Sequence, residues 1–465
     1  MISLNNLDIF VIVLFLLAVL VIGLIPKSTK DKEQFLLSGR NMGLFLFVVT
    51  NVATWYGGIL GIGELSYNYG LLSWLTQGVP YYIFAIIFAL TIAKKIRETE
   101  LITIPDKIEK DYGKNNSILA AIVIFVLVSP APYLLMLANI ISMLFNINIF
   151  LSLIIAAILS SVYLFKGGYK SDLYTDTFEF FIMFIGFGIL FFVAYTSVGD
   201  FTYLKANLPA GHLRPFSQVS ISYIVVWFLI ALWTFADPGF HQRCYAAKNA
   251  KVASRGILIS VILWILFDFL TNVSGLYSKA VLPNLGSPVM AFPLLAEKIL
   301  SPGLKGLFYA ALFATILSTL NSFVFLSATT FSNDLVTRLN SKYKNDITKY
   351  TRIGLFISLI ISILLAYYIK SVIDLWYTIG SICIPSLILV ILSSYYPKIK
   401  IAPKFITIEI IVSLIAGLVW YIIRPIYIQY YIFELVEPMI VGLFAAVVVH
   451  GWGLINKYKY RSVNV

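Results

Sequence analysis

A helix that spans a bilayer needs about 20 mostly apolar residues. Stretches of that kind recur along the whole chain, at 7–26, 43–70, 74–93, 117–145, 149–165, 173–197, 219–242, 255–280, 304–333, 351–369, 372–396, 405–423 and 434–456. The pattern predicts an all-α polytopic membrane protein of about 13 transmembrane helices. Charge tests that count, because short cytoplasmic loops are enriched in Lys and Arg, and one missed span would invert every later loop. With the N-terminus outside and the C-terminus inside, 27 of the 34 Lys and Arg fall in inner segments, so the count and the orientation support each other.

Two of these spans are poor helices. Residues 50–70, TNVATWYGGILGIGELSYNYG, contain Asn51, Thr54, Glu64 and glycines at 57, 58, 61 and 63. Residues 233–243, WTFADPGFHQR, contain Pro238, which removes a helix hydrogen bond, and Asp237, which is costly in lipid. Each opens a block of five spans, at about 43–197 and 219–396. Because five is odd, the two blocks run in opposite orientation. Interrupted first helices in paired, inverted blocks point to a secondary transporter with its site near the bilayer midplane. For the first stretch two readings stay open. The glycines serve close helix packing, or they mark an unwound segment whose freed carbonyls coordinate a small cation or face a solute.

Composition narrows the class. The chain is 60% hydrophobic and only 12% charged, far from the balance of a soluble domain. Its net charge of +12 lies in short loops, as topology requires, so no nucleic-acid partner is expected. Residues 7–26 lack a basic leader and a small-residue cleavage site, so they are expected to remain as a helix. The polar stretches near 94–116, 199–218 and 334–350 are too short to bury a core of their own, so the expectation is one transmembrane domain. Cys244 and Cys383 are the only cysteines, which leaves no disulfide framework and no cysteine-based zinc site. No HExxH, GxSxG or GxxxxGK[ST] motif is present, and His212, His241 and His450 are widely separated. Neither an enzyme nor a transition-metal site is expected.

Polar residues inside spans are the remaining candidates. In ATILSTLNSFVFLSATTFSND, residues 314–334, Thr315, Ser318, Thr319 and Ser322 follow i, i+3, i+4, i+7 spacing and form one stripe, with Asn321 beside it. Such hydroxyls either bond within and between helices or ligate an ion. Asp176 and Glu179, in YTDTFEFF, lie near the cytoplasmic end of the sixth span, where function and interfacial placement compete. Glu64, Asp268 and Asp374 are either ion-paired or helix-end groups.

Several motifs, in order, resemble those of the solute:sodium symporters: FLLSGRNMG, ATWYGG followed by YNYG, TIPDKIEKDYG, GGYKSDLYTD, DPGFHQRCYAAKNAKVASRG, and ATILSTLNS followed by ND. The resemblance implies a leucine-transporter-like, five-plus-five inverted-repeat core, with one helix before it (7–26) and two after it (405–456). It implies sodium as coupling ion and a main sodium site made by the carbonyls of Asn51, Thr54 and Thr315 and the hydroxyls of Ser318 and Thr319. A second sodium site, present in some members, corresponds here to Asp176, Ser318, Asn321 and Ser322, with Asn321 standing where those members have Ser. Solute contacts correspond to Trp55, Gly58, Gln77, Trp233 and Asp237. Trp55 matches a tryptophan of the choline branch, but Asp237 stands where that branch has another tryptophan. Asp237 is expected to hold an amine, pair with Arg243 or cap the broken helix.

The expectation is a multi-pass cell-membrane symporter that imports a small organic solute with Na+ by alternating access. Proton coupling through Asp176 is the alternative within the fold, and a transport-inactive sensor or channel-like protein is the alternative outside it.

Overall fold

The computed structural model describes residues 2–27, 29–216, 219, 221–369 and 372–463. Twelve helices among them are long and apolar enough to span a membrane. These are α1 (Asn6–Leu24), α4 (Leu72–Thr91), α5 (Lys114–Phe145), α6 (Ile149–Gly167), α7 (Tyr169–Val198), α8 (Tyr223–Ala246), α9 (Ala250–Val281), α10 (Leu304–Leu339), α11 (Ser341–Tyr368), α12 (Leu375–Tyr395), α13 (Pro403–Ile423) and α14 (Pro438–Lys459). The remaining expected span is present as two short helices, α2 (Leu44–Ala53) and α3 (Ile59–Tyr69), each too short to cross alone. The thirteen expected spans are therefore the twelve helices above and one crossing split into two short helices.

Burial separates centre from rim. In α10, 94% of the most apolar stretch is buried, against 28% in α1 and in α13. A helix that meets protein on every side can carry hydroxyls and amides that lipid would not accept, and α10 carries the Thr315–Ser322 stripe. Its largest interface is with α7. Helices α13 and α14 pack on each other and on α12, while α1 lies against α7 and α10. The lipid-facing side of α1 shows large apolar side chains, among them Phe10, Leu14 and Leu17.

On the side that the Lys and Arg bias assigns to the cytoplasm, main-chain bonds hold the start of α2 to the end of α8. Met42 N–H donates to Ala246 O at 3.1 Å, and Lys248 N–H donates to Met42 O at 2.9 Å. Arg97 Nε adds a bond to Ala247 O at 2.6 Å. Beside this junction the short helix Ile104–Tyr112 docks on the end of α10 through Arg338, which pairs with Asp106, with Glu109 at 2.9 Å and with Asp334 at 2.6 Å.

Candidate functional site

The α2–α3 break runs from Thr54 to Gly58. At its start the Trp55 amide bonds Val52 O at 3.2 Å, so the Asn51 carbonyl loses its i+4 donor within the helix. Neither Gly57 nor Gly58 has the positive φ that only glycine adopts readily. Their role is close approach. A Cβ on Gly57 would come within 2.5 Å of Thr319, and one on Gly58 within 2.2 Å of the Trp376 ring. The helix breaks, and its glycines let α10 and α12 close on the break.

The second interruption lies in α8 at Asp237. Asp237 has extended backbone (φ −70°, ψ 114°), and Pro238 takes the first position of the helix that follows, where its missing N–H costs nothing. The Asp237 carboxylate caps that helix, accepting the Phe240 N–H at 2.8 Å, and also accepts the Trp233 indole N–H at 3.1 Å. Of the roles expected for Asp237, capping is observed. The carboxylate that Arg243 faces is instead Asp176, at 3.8 Å.

Arg243 joins the two breaks. Its Nη2 donates to Thr54 Oγ1 at 2.6 Å and lies 3.4 Å from Thr50 O, while Nη1 reaches Gly239 O at 3.2 Å. The Trp55 and Phe240 rings meet edge to face at 5.7 Å, so the interruptions adjoin. Directly beside them Thr319 Oγ1 donates to Thr54 O at 3.0 Å and Ser318 Oγ donates to Asp176 Oδ1 at 2.8 Å. Thr315 Oγ1 bonds Ala311 O at 2.6 Å, so its hydroxyl serves its own helix. Carbonyl and hydroxyl oxygens at this spacing are hard ligands, suited to a cation such as Na+ and unsuited to a soft metal.

The grouping expected for a second site divides differently. Ser318 faces Asp176, but Ser322 donates to Asp172, at 2.8 Å. Asn321 is fully buried, and both its amide atoms lack a hydrogen-bond partner.

All five expected solute residues, Trp55, Gly58, Gln77, Trp233 and Asp237, line one cavity of about 390 Å3, with Thr54 at its edge. Its wall is otherwise largely aromatic and includes Tyr81, Tyr133, Phe323 and Trp376. Trp55 and Tyr81 meet edge to face at 5.0 Å, and Tyr133 lies 5.8 Å from Trp376. Glu64 is on the same wall. Asp268, expected as an ion-paired or helix-end residue, is neither: it lies within α9 and accepts the Tyr82 hydroxyl. The side chain of Asp374 lies outside the described residues.

Sequence reasoning passed over Asp172, Arg243 as a bridge between the breaks, and the rings of Tyr81, Tyr133 and Trp376. Asp172 had a usable signal, since it precedes Asp176 by one helical turn. The rings come from distant spans and carry no local signal.

Comparison with known proteins agrees with this architecture. Residues 35–401 match the model of the Sodium:solute symporter family. The chain is 25% identical over 409 residues to the high-affinity choline transporter 1 of Caenorhabditis elegans, covering 80% of this chain and 70% of that one. It is 26% identical over 379 residues to the sodium/proline symporter of Staphylococcus aureus, covering 76% and 73%. It is 25% identical over 369 residues to the sodium/pantothenate symporter of Haemophilus influenzae, covering 73% and 74%. Among solved structures, a Na+-coupled sialic acid symporter in a substrate-bound outward-open state superposes with a TM-score of 0.77 at 17% identity, covering 97% of this chain and 98% of that one. A nucleobase-cation-symport-1 family transporter gives 0.59 at 13% identity, covering 92% and 95%. With four-fifths of its length matched by the family model and the same fold as a sodium-coupled symporter, the chain belongs to the sodium:solute symporter family.

Proposed function

We propose that this protein imports a small organic solute by coupling it to Na+ through alternating access. The main sodium site is assigned to the carbonyls of Asn51, Thr54 and Thr315 and the hydroxyls of Ser318 and Thr319. The solute site is assigned to Trp55, Gly58, Gln77, Trp233 and Asp237. The observation that carries the reading is the contact of Thr319 Oγ1 with Thr54 O at 3.0 Å, where an unwound segment of α2–α3 meets the hydroxyl stripe of α10. Thr54 also edges the cavity, so an ion there would fix the backbone that presents Trp55 and Gly58 to the solute. By linkage, each ligand then tightens the other. We take 43–197 and 219–396 as the two repeats that rock against each other.

The cavity lining suits an organic cation. Two carboxylates, Asp237 and Glu64, stand among aromatic rings, and no Lys or Arg is among the lining residues described. Indole and phenol faces attract ammonium groups. Choline transporters among the relatives are consistent with this class.

One Na+ entering down about 100 mV and a tenfold gradient supplies roughly 3.7 kcal/mol, enough for about 500-fold accumulation of a neutral solute. The test uses the purified protein in liposomes. Amines, amino acids, sugars and carboxylates are first screened by thermal shift with and without Na+, and the stabilising solute is then used for uptake. Uptake should require an inward Na+ gradient. Uptake that is unchanged when K+ replaces Na+ at constant pH would sink the reading, and uptake driven by a pH jump without Na+ would favour proton coupling through Asp176.

A further inference from the structure

A second cavity, of about 560 Å3 and so larger than the solute cavity, lies between α5, α10, α11, α12 and α13. Among its lining residues described none is charged, and the wall is mostly aliphatic, with hydroxyls at Ser129, Ser327, Ser358 and Ser362. Such a lining does not replace the water around a polar solute. The cavity opens sideways: Val126, Ile361, Ile369 and Tyr421 line it and are also exposed on the flank of the bundle, where a bilayer meets the protein. Its depth follows from α11. From Ile369, just past the end that the Lys and Arg bias assigns to the outside, to Ser358 is a helical rise of about 16 Å. That is roughly half of a 30 Å hydrocarbon core, the depth of one leaflet. At the outer ends of α12 and α13, Thr378 Oγ1 donates to Tyr421 Oη at 3.0 Å, the level at which tyrosines meet lipid headgroups. Ser358 Oγ, on the innermost lining residue of α11, is buried without a partner, so none of the described polar groups fills that end.

The two cavities share walls. On α12, Leu375, Thr378 and Ile379 line the apolar cavity, while Trp376, Tyr377 and Gly380 line the solute cavity. On α10, Ser327 lines the first and Phe323, one turn away, the second; on α5, Ser129 and Tyr133 divide in the same way. Tyr133 joins these walls, with its ring 4.7 Å from Phe323 and 5.8 Å from Trp376. The α5 helix is interrupted between Leu127 and Ala131, where Ser129 and Pro130 line the apolar cavity, so this part of the partition is not braced by a continuous helical ladder. We propose that the apolar cavity binds one hydrocarbon chain of an outer-leaflet phospholipid, and that the bound chain backs the aromatic wall of the solute site. The backing role rests on the solute reading above, whereas the lipid site does not. A chain in the cavity removes the space into which Tyr133, Phe323 and Trp376 would retreat, so it tightens solute binding, and by linkage solute tightens retention of the chain.

The test uses the full-length protein in nanodiscs of straight-chain phosphatidylcholine, doped with phosphatidylcholine that carries a photoactivatable diazirine either at the end of one chain or beside its ester. After irradiation and peptide mapping, the chain-end probe should mark the segments around Ser327 and Ser358, and the ester probe the segment around Tyr421. Labelling of α1 at Phe10 and Leu14, which are exposed on the lipid-facing side, gives the internal standard. Ser358→Phe fills the base of the cavity and Ile361→Trp closes its rim. Each should lower chain-end labelling at Ser327 several-fold relative to α1. Each should also raise Kd for the stabilising solute at saturating Na+ by roughly 2- to 30-fold, the range of couplings carried through packed side chains. If Ser358→Phe does not fold, Ile361→Trp decides, because its position is exposed. Chain-end labelling that never reaches Ser327 and Ser358, or that is unchanged in the variants, overturns the lipid site. Labelling lost with the solute Kd unmoved overturns the backing role. A wild type that is labelled as expected but binds none of the screened solutes defeats the solute reading and leaves the lipid site standing.

Discussion

At the scale of single residues, the break between α2 and α3 depends on oxygen atoms that have left the helical ladder and on side chains small enough to let other helices reach them. Thr319 tests the first point. Thr319→Val keeps the shape and removes the hydroxyl that meets Thr54 O, so half-saturating Na+ for uptake should rise by at least about tenfold, with expression unchanged. Trp55 tests the solute side. Its ring lies on the cavity wall against Tyr81 and Phe240, and Trp55→Ala should raise KM for a cationic solute roughly 2- to 30-fold, the range of a cation–π contact. Uptake kinetics at saturating Na+ give the comparison. A KM that does not move would place the solute away from this wall. The sequence showed Thr319 and Trp55 as candidates through a hydroxyl stripe and a broken helix. It did not show Arg243 reaching Thr54, because that bond joins residues far apart in the chain.

At the scale of elements, the two ends of the bundle differ. The aromatic cavity is lined in part by residues such as Tyr69 and Tyr223, at the helix ends that the Lys and Arg bias assigns to the outside, while the opposite end is tied by the Met42–Ala247 bridge and by Arg338 between α10 and the helix Ile104–Tyr112. Arg338 is buried and pairs with the buried Asp334 and with the partly exposed Asp106 and Glu109, so its removal leaves the buried Asp334 carboxylate without its counter-charge. Removing one member of a buried pair typically costs 3–5 kcal/mol, roughly, and here part of that cost falls on the closed inner end. Arg338→Gln should lower the unfolding temperature and shift the transporter toward states open on that side. Cys244 reports this, because it is fully buried in the inner half of α8. In a Cys383→Ser background, maleimide labelling of Cys244 should speed up several-fold in Arg338→Gln. An unchanged rate would show that the cluster braces the fold without controlling access.

At the scale of the whole molecule, loops outside the bilayer tie the peripheral helices to the core. Asp111 accepts Lys107 Nζ at 2.6 Å and Lys400 Nζ at 2.7 Å, linking the end of the helix Ile104–Tyr112 to the segment before α13. Partial burial opposes ionisation of Asp111, but the two lysine hydrogen bonds outweigh it and hold the carboxyl below the usual carboxylate range. A carboxyl lowered in the folded state contributes stability that is present above its unfolded pKa, about 3.9, and is lost as pH falls through the folded value. Thermal unfolding should therefore be insensitive to this group from pH 5 to 8 in rough terms, and should weaken below about pH 4 more in wild type than in Asp111→Asn. Equal acid sensitivity in the two proteins would remove Asp111 from the account.

The sequence by itself determined the membrane class, the span count, the paired interruptions and the hydroxyl stripe. These follow from local rules: apolar length against bilayer thickness, the Lys and Arg bias of loops, proline and glycine chemistry, and the helical repeat. Only the tertiary structure decided which oxygen faces which acid. Ser318 and Ser322 are one turn apart and alike in sequence, yet one meets Asp176 and the other Asp172, because the register between α7 and α10 is set by packing. The same holds for Asp237, whose neighbours in sequence allowed a cap, a pair or a ligand: its placement at the break makes it a cap that also stands on the cavity wall.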